Sequence, residues 1–165
     1  SVLGIDIEAH AVDNAEDNLA KNPGISSPVR FECGDATLLA THGDGVFDMV
    51  LANIHKNVLS QDMQVYARVL GEGGHLLLSG FFEGDVPAMQ SCVEAAGLRV
   101  EGVKVLEGWA CMACWKPAES AGQSPTWPSN LGSCVGLEFW GWPCACRCPW
   151  LWPKTSRPGR RRLRF

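Results

Sequence analysis

The 165-residue chain has no uninterrupted run of 18 apolar residues, which excludes a membrane-spanning helix written as one hydrophobic stretch. It opens on Ser1-Val2-Leu3-Gly4-Ile5-Asp6 with no basic cluster ahead of an apolar segment, so neither a signal nor a transit peptide is legible. A cytoplasmic protein is the expectation. Because this opening already reads as a strand, the chain is expected to be a fragment of a longer one. Tryptophan is missing from the first 108 residues; all seven lie at or after position 109. Positive charge is scarce over residues 1–117, where 16 Asp and Glu outnumber 7 Lys and Arg for a net of −9. Residues 118–165 reverse the balance, with 2 acids, 7 bases and a net of +5. Two compositions are joined end to end, and the expected division is a body over 1–117 and a tail over 118–165.

Within the body, apolar spacing predicts alternating strands and helices. Ser1 to Ile7 and Val29 to Cys33 read as strands, with a helix from Ala9 to Lys21 carrying Val12, Ala15 and Leu19 on one side. Phe47 to Asn53 holds the run Met49 to Ala52, which has the composition of a buried parallel strand. An amphipathic helix follows, with Val58, Leu59, Met63, Tyr66, Ala67 and Leu70 on one stripe, and Gly71-Glu72-Gly73-Gly74 ends it. His75 to Ser79 reads as a strand apolar on both faces, and Asp85 to Ala96 as a helix. Val100 to Leu106 and Trp109 to Trp115 are joined by Glu107-Gly108, a link too short for anything but a hairpin. The fold class is therefore α/β: a Rossmann-like, mostly parallel sheet covered by helices on both faces and finished by an antiparallel hairpin. That is the arrangement of class I methyltransferases.

Three residues fall where open α/β sheets read their ligands, at the carboxyl ends of strands. Asp6 ends the first strand; a carboxylate there accepts both hydroxyls of a ribose, and the competing reading is a solvated acid at a helix start. Asp35 follows the second strand and suits either an adenine amino group or an aspartate bonding its own turn. Asn53 ends the strand that begins at Phe47. Its amide carries an acceptor that can orient an attacking amine and a donor, and it could also cap the following helix. His55 reads as a surface residue. Cys111 and Cys114 match C-x-x-C, but on a strand the odd offset sends the two thiols to opposite faces, so no metal or redox pair is assigned. Cys33, Cys92, Cys111 and Cys114 read as reduced, buried thiols.

Gly4-Ile5-Asp6-Ile7-Glu8, Phe31-Glu32-Cys33-Gly34-Asp35, Phe47-Asp48-Met49-Val50-Leu51-Ala52-Asn53-Ile54, Gly73-Gly74-His75-Leu76-Leu77-Leu78-Ser79-Gly80-Phe81 and Glu107-Gly108-Trp109-Ala110 occur in that order. Together they resemble the PrmA family, the bacterial methyltransferases of a large-subunit ribosomal protein, over about residues 1–117. The resemblance implies S-adenosyl-L-methionine as cofactor, a ribosomal protein as substrate, and methylation of lysine side chains and a terminal amine. It carries Asp6 and Asn53 onto cofactor-binding positions and brings no catalytic base with it. The sequence departs from the family in having no Gly-rich strand-to-turn segment ahead of Asp6, nor the family's upstream domain. The resemblance places the corresponding strand centrally, between those ending at Asp6 and Asn53, and this chain alone is expected to bind cofactor weakly or not at all. Rival readings are a class I methyltransferase with a small-molecule or nucleic-acid substrate, a nicotinamide-dependent oxidoreductase, and an inactive truncated pseudoenzyme.

The tail opens on a linker-like Ala118 to Pro125 and then accumulates Trp, Cys, Pro and Arg without period. Cys144, Cys146 and Cys148 lack the spacing that closes a zinc site. The five arginines of Arg157 to Phe165 could touch phosphates. The expectation set against both is a disordered out-of-frame translation with no nucleic-acid contact.

Overall fold

A computed structural model describes residues 1–118. The expectations for the tail, its cysteines and its arginines therefore fall outside the described residues. The body runs β1 (Val2–Asp6), α1 (Ala9–Ala20), β2 (Val29–Cys33), α2 (Ala36–Ala40), β3 (Phe47–Asn53), α3 (Lys56–Val69) and β4 (Leu70–Phe82). A 3₁₀ turn (Glu83–Asp85), α4 (Val86–Ala95), β5 (Arg99–Leu106) and β6 (Trp109–Trp115) complete it. Strand and helix alternate as the periodicity requires, and none of the described helices is long and apolar enough to cross a membrane.

The strands form two sheets rather than one. β1 pairs in parallel with β2, and β3, β4, β6 and β5 form a second sheet in that order. The break falls between β1 and β3, where the resemblance sets a further central strand. In this arrangement β3 is an edge, and Leu51 at its middle is 50% exposed despite an apolar run that suits burial on both sides. β3 and β4 pair in parallel, whereas β6 runs antiparallel to both β4 and β5. Glu107 (φ 51°) and Gly108 (φ 82°) both adopt positive φ between β5 and β6. Positive φ at both central residues is what a tight two-residue hairpin turn demands.

The core lies on one face of the four-stranded sheet. Leu76 and Leu78 of β4 and Ala110, Met112 and Cys114 of β6 are fully buried there, packed with Leu59 and Met63 of α3 and Met89 and Val93 of α4. Leu77, which alternates to the other face, is only partly buried, so coverage is one-sided here instead of the two-sided coverage the sequence suggests. Helix α1 packs on β1 and β2 instead. Val58 also departs from expectation: it is 42% exposed, while Leu59, Met63, Tyr66 and Ala67 of the same helix are buried. The thiols divide, with Cys114 buried and pushed up to about 12 by desolvation, Cys92 and Cys111 partly buried and Cys33 exposed. Exposure of Cys33 follows from its place at the end of β2, in a sheet of two strands.

Candidate functional site

Asp6 and Asp35 stand at the carboxyl end of the two-stranded sheet and are joined through backbone, the Gly34 N–H donating to the Asp6 carbonyl at 2.9 Å. The Asp6 side chain accepts the Glu8 N–H through Oδ1 at 2.9 Å, a turn that orients the carboxylate. It does not cap α1, whose N-cap is Glu8.

Asp35 takes up the structural one of its two candidate roles, that of an aspartate bonding its own turn. Its Oδ1 accepts the Thr37 N–H at 2.8 Å and the Thr37 hydroxyl, making it the N-cap of α2. That five-residue helix has no signal in the apolar spacing, since five residues are too few to show a period. The Thr37 hydroxyl bond, followed by the Thr37 N–H, holds the Asp35 carboxyl below the usual carboxylate range. Across the α2–α3 contact Asp62 is shifted upward, first by burial and then by the Asp35 charge. Ile7, Cys33, Gly34, Asp35, Thr37, Leu38 and Thr41 line an open depression of about 450 Å³ beside this end of the sheet.

Asn53 lies on the other sheet, at the carboxyl end of β3, and is exposed. It does not cap the following helix: His55 is the N-cap of α3, its Nδ1 accepting from the Asn57 N–H at 3.3 Å. The Asn53 Oδ1 instead accepts the Ser79 hydroxyl at 2.9 Å, across the register pair Asn53–Ser79 of β3 and β4. Gly80, the next residue, has φ +90°, and a Cβ there would stand 2.6 Å from the Ile54 carbonyl oxygen. Beyond it Lys56 donates to the Asp85 carboxylate at 2.5 Å, and Asp85 also accepts from the Phe82 N–H at 3.4 Å. Three contacts thus bind the end of β3 and the start of α3 to the end of β4 and the 3₁₀ turn after it. Ser79, Gly80, Lys56 and Asp85 had no role in the sequence reading, since each depends on strand register.

The Lys56 bond is the first cause of a lowered Asp85 pKa. A carboxyl depressed in the folded state adds stability above its unfolded pKa, near 4, and loses it as pH falls through the lower folded value. Asp85→Asn is therefore expected to be less stable than the parent at neutral pH. Its denaturation midpoint, followed against pH, converges on the parent's in acid, once the pH has fallen through the lowered folded pKa of Asp85.

Residues 1–117 match the family model described as ribosomal protein L11 methyltransferase (PrmA). The ribosomal protein L11 methyltransferase of Porphyromonas gingivalis is 40% identical over 112 residues, covering 68% of this chain and 37% of the relative. Among solved structures, the ribosomal protein L11 methylase of Lactobacillus delbrueckii subsp. bulgaricus superposes with a TM-score of 0.63 at 23% identity, over 72% of this chain and 59% of that one. A Burkholderia thailandensis 1,6-didemethyltoxoflavin-N1-methyltransferase, solved with S-adenosylhomocysteine, shares the fold at a TM-score of 0.53 and 15% identity, over 71% of this chain and 71% of that one. The sheet is thus that of the Rossmann-like methyltransferases, and the chain spans little more than a third of the length of the P. gingivalis relative.

Proposed function

Because the chain belongs to the ribosomal protein L11 methyltransferase family, we propose that residues 1–117 are the methyl-transferring part of an S-adenosylmethionine-dependent protein N-methyltransferase. Its substrates are lysine and terminal amines of a large-subunit ribosomal protein, and its place of work is the cytoplasm. The observation that carries this reading is Asn53 held at the carboxyl end of β3 by Ser79, within a family match that runs the length of the body. The excess of acid over residues 1–117 suits a basic substrate.

The residues present fit the cofactor chemically. Asp6 and Asp35 each commit Oδ1 to backbone N–H groups, which aims the carboxylate and leaves an acceptor for a ligand hydroxyl or amino group. Asp6 would hold the ribose and Asp35 the adenine, at the rim of the depression beside β2. S-adenosylmethionine supplies an electrophilic methyl group on a sulfonium. Asn53 accepts from the substrate amine and turns its lone pair toward that methyl. Holding two reactants in line accounts for much of the acceleration such a transfer needs, about 7–11 kcal/mol in well-oriented cases. No residue is assigned as general base.

Among the described residues Asp6 and Asn53 lie on separate sheets. The ribose-holding Asp6 and the amine-orienting Asn53 would therefore face one cofactor without a shared strand between them. Titration calorimetry of the 165-residue chain with S-adenosylmethionine is expected to show millimolar or weaker affinity. Grafting residues 1–117 in place of the matching segment of the P. gingivalis relative is expected to restore micromolar binding. Micromolar affinity in the isolated chain contradicts the need for a strand between the two sheets; a folded graft that does not bind contradicts the function.

A further inference from the structure

We propose that Ser79 is a positioning residue: its hydroxyl fixes the side-chain amide of Asn53, so that one defined acceptor faces the incoming amine. This rests on the reading of Asn53 given above. An exposed asparagine at a strand end rotates and flips freely, presenting donor and acceptor in turn, and a nucleophile needs only the acceptor. Ser79 is placed to remove that freedom. It stands directly opposite Asn53 in the parallel register of β3 and β4, and its hydroxyl donates to Oδ1 at 2.9 Å. Carbonyl oxygen has two lone pairs, so with one taken by Ser79 the other remains for the amine. The hydroxyl's donation also polarises the amide oxygen, strengthening it as an acceptor.

The surroundings make the short serine side chain sufficient for this. Gly80 allows the end of β4 to press against Ile54, where a Cβ would come closest to the Ile54 carbonyl oxygen. That contact sets the backbone beside Asn53. Lys56 and Asp85 tie the start of α3 to the 3₁₀ turn one step further out. The backbone on both sides is thereby held, and the amide torsion is the degree of freedom left to Ser79.

The contact itself is read in the 165-residue chain by nitrogen-15 spectra of the asparagine side-chain amides, with Asn53→Ala identifying the Asn53 pair of signals. Ser79→Ala is expected to shift that pair and speed its exchange with water, and Ser79→Thr, which keeps the hydroxyl, to return it. Its consequence is read in the graft described above. Ser79→Ala is expected to lower kcat about 10–100-fold, with KM for S-adenosylmethionine changed less than threefold and Ser79→Thr recovering most of the rate. Full turnover in Ser79→Ala beside a slow Asn53→Ala overturns the positioning role, as does a Thr variant no faster than Ala. Full turnover in Asn53→Ala overturns the assignment of Asn53 itself, leaving the spectra to show whether the contact exists.

Discussion

Replacing Asn53 with alanine in the graft is expected to lower the rate of methyl transfer about 100-fold while leaving cofactor binding within a few-fold of the parent. The reasoning is geometric. Transfer between a bound sulfonium and a bound amine requires the nitrogen lone pair to lie in line with the breaking carbon–sulfur bond, and a misplacement of about 1 Å can cost 10²-fold. Asn53 sits at the carboxyl end of β3 with Oδ1 oriented by Ser79, so its loss removes orientation rather than affinity. Aspartate is no substitute. A carboxylate at that place would favour the protonated ammonium, whose lone pair is occupied, and Asn53→Asp should raise the apparent pKa of the rate profile as well as slow it. Steady-state kinetics across pH check both, and parental turnover in Asn53→Ala contradicts the account.

Gly80→Ala is the substitution expected to damage stability most for the smallest chemical change. The added methyl group meets the Ile54 carbonyl oxygen at 2.6 Å and its carbon at 3.0 Å, both backbone atoms that no side-chain rotation can clear. The residue also has φ +90°, a region that L side chains rarely adopt. Strain of about 1–3 kcal/mol and a similar cost for overpacking together predict a loss of about 2–5 kcal/mol. Gly84, four residues on, has open space around its Cβ position, and Gly84→Ala should fall within about 0.5 kcal/mol of the parent. Urea denaturation of the two variants gives the contrast. If they prove equally stable, the close approach of β4 to Ile54 does not constrain the fold.

The sequence made some parts of this molecule legible because they depend on local pattern. The run from Phe47 to Asn53 followed by a helical stripe, and the two-residue Glu107-Gly108 link, are encoded within a few neighbours, and both appear in the structure. Elements that depend on more distant geometry were not legible. The helix Ala36–Ala40 is shorter than two turns and exists through its Asp35 cap. Val58 shares the period of the buried stripe but is left outside it, since periodicity states which residues share a side and not how far the covering element reaches. Capping of α3 passed from Asn53 to His55, because Asn53 is still paired within β3. The bond from Ser79 to Asn53 joins residues 26 apart, and only the strand register brings them together. Of the candidate residues, Asp6 and Asp35 share one sheet end while Asn53 belongs to the other sheet, a division that no strand-by-strand pattern contains.

The central claim is that residues 1–117 carry the methyl-transfer edge of a ribosomal-protein methyltransferase. The most direct measurement is transfer of labelled methyl from S-adenosylmethionine to purified ribosomal protein L11 by the graft, with the methylated positions read by mass spectrometry. The account predicts label on lysine and terminal amines, lost in Asn53→Ala. A folded graft that binds the cofactor and leaves the protein unlabelled would contradict it.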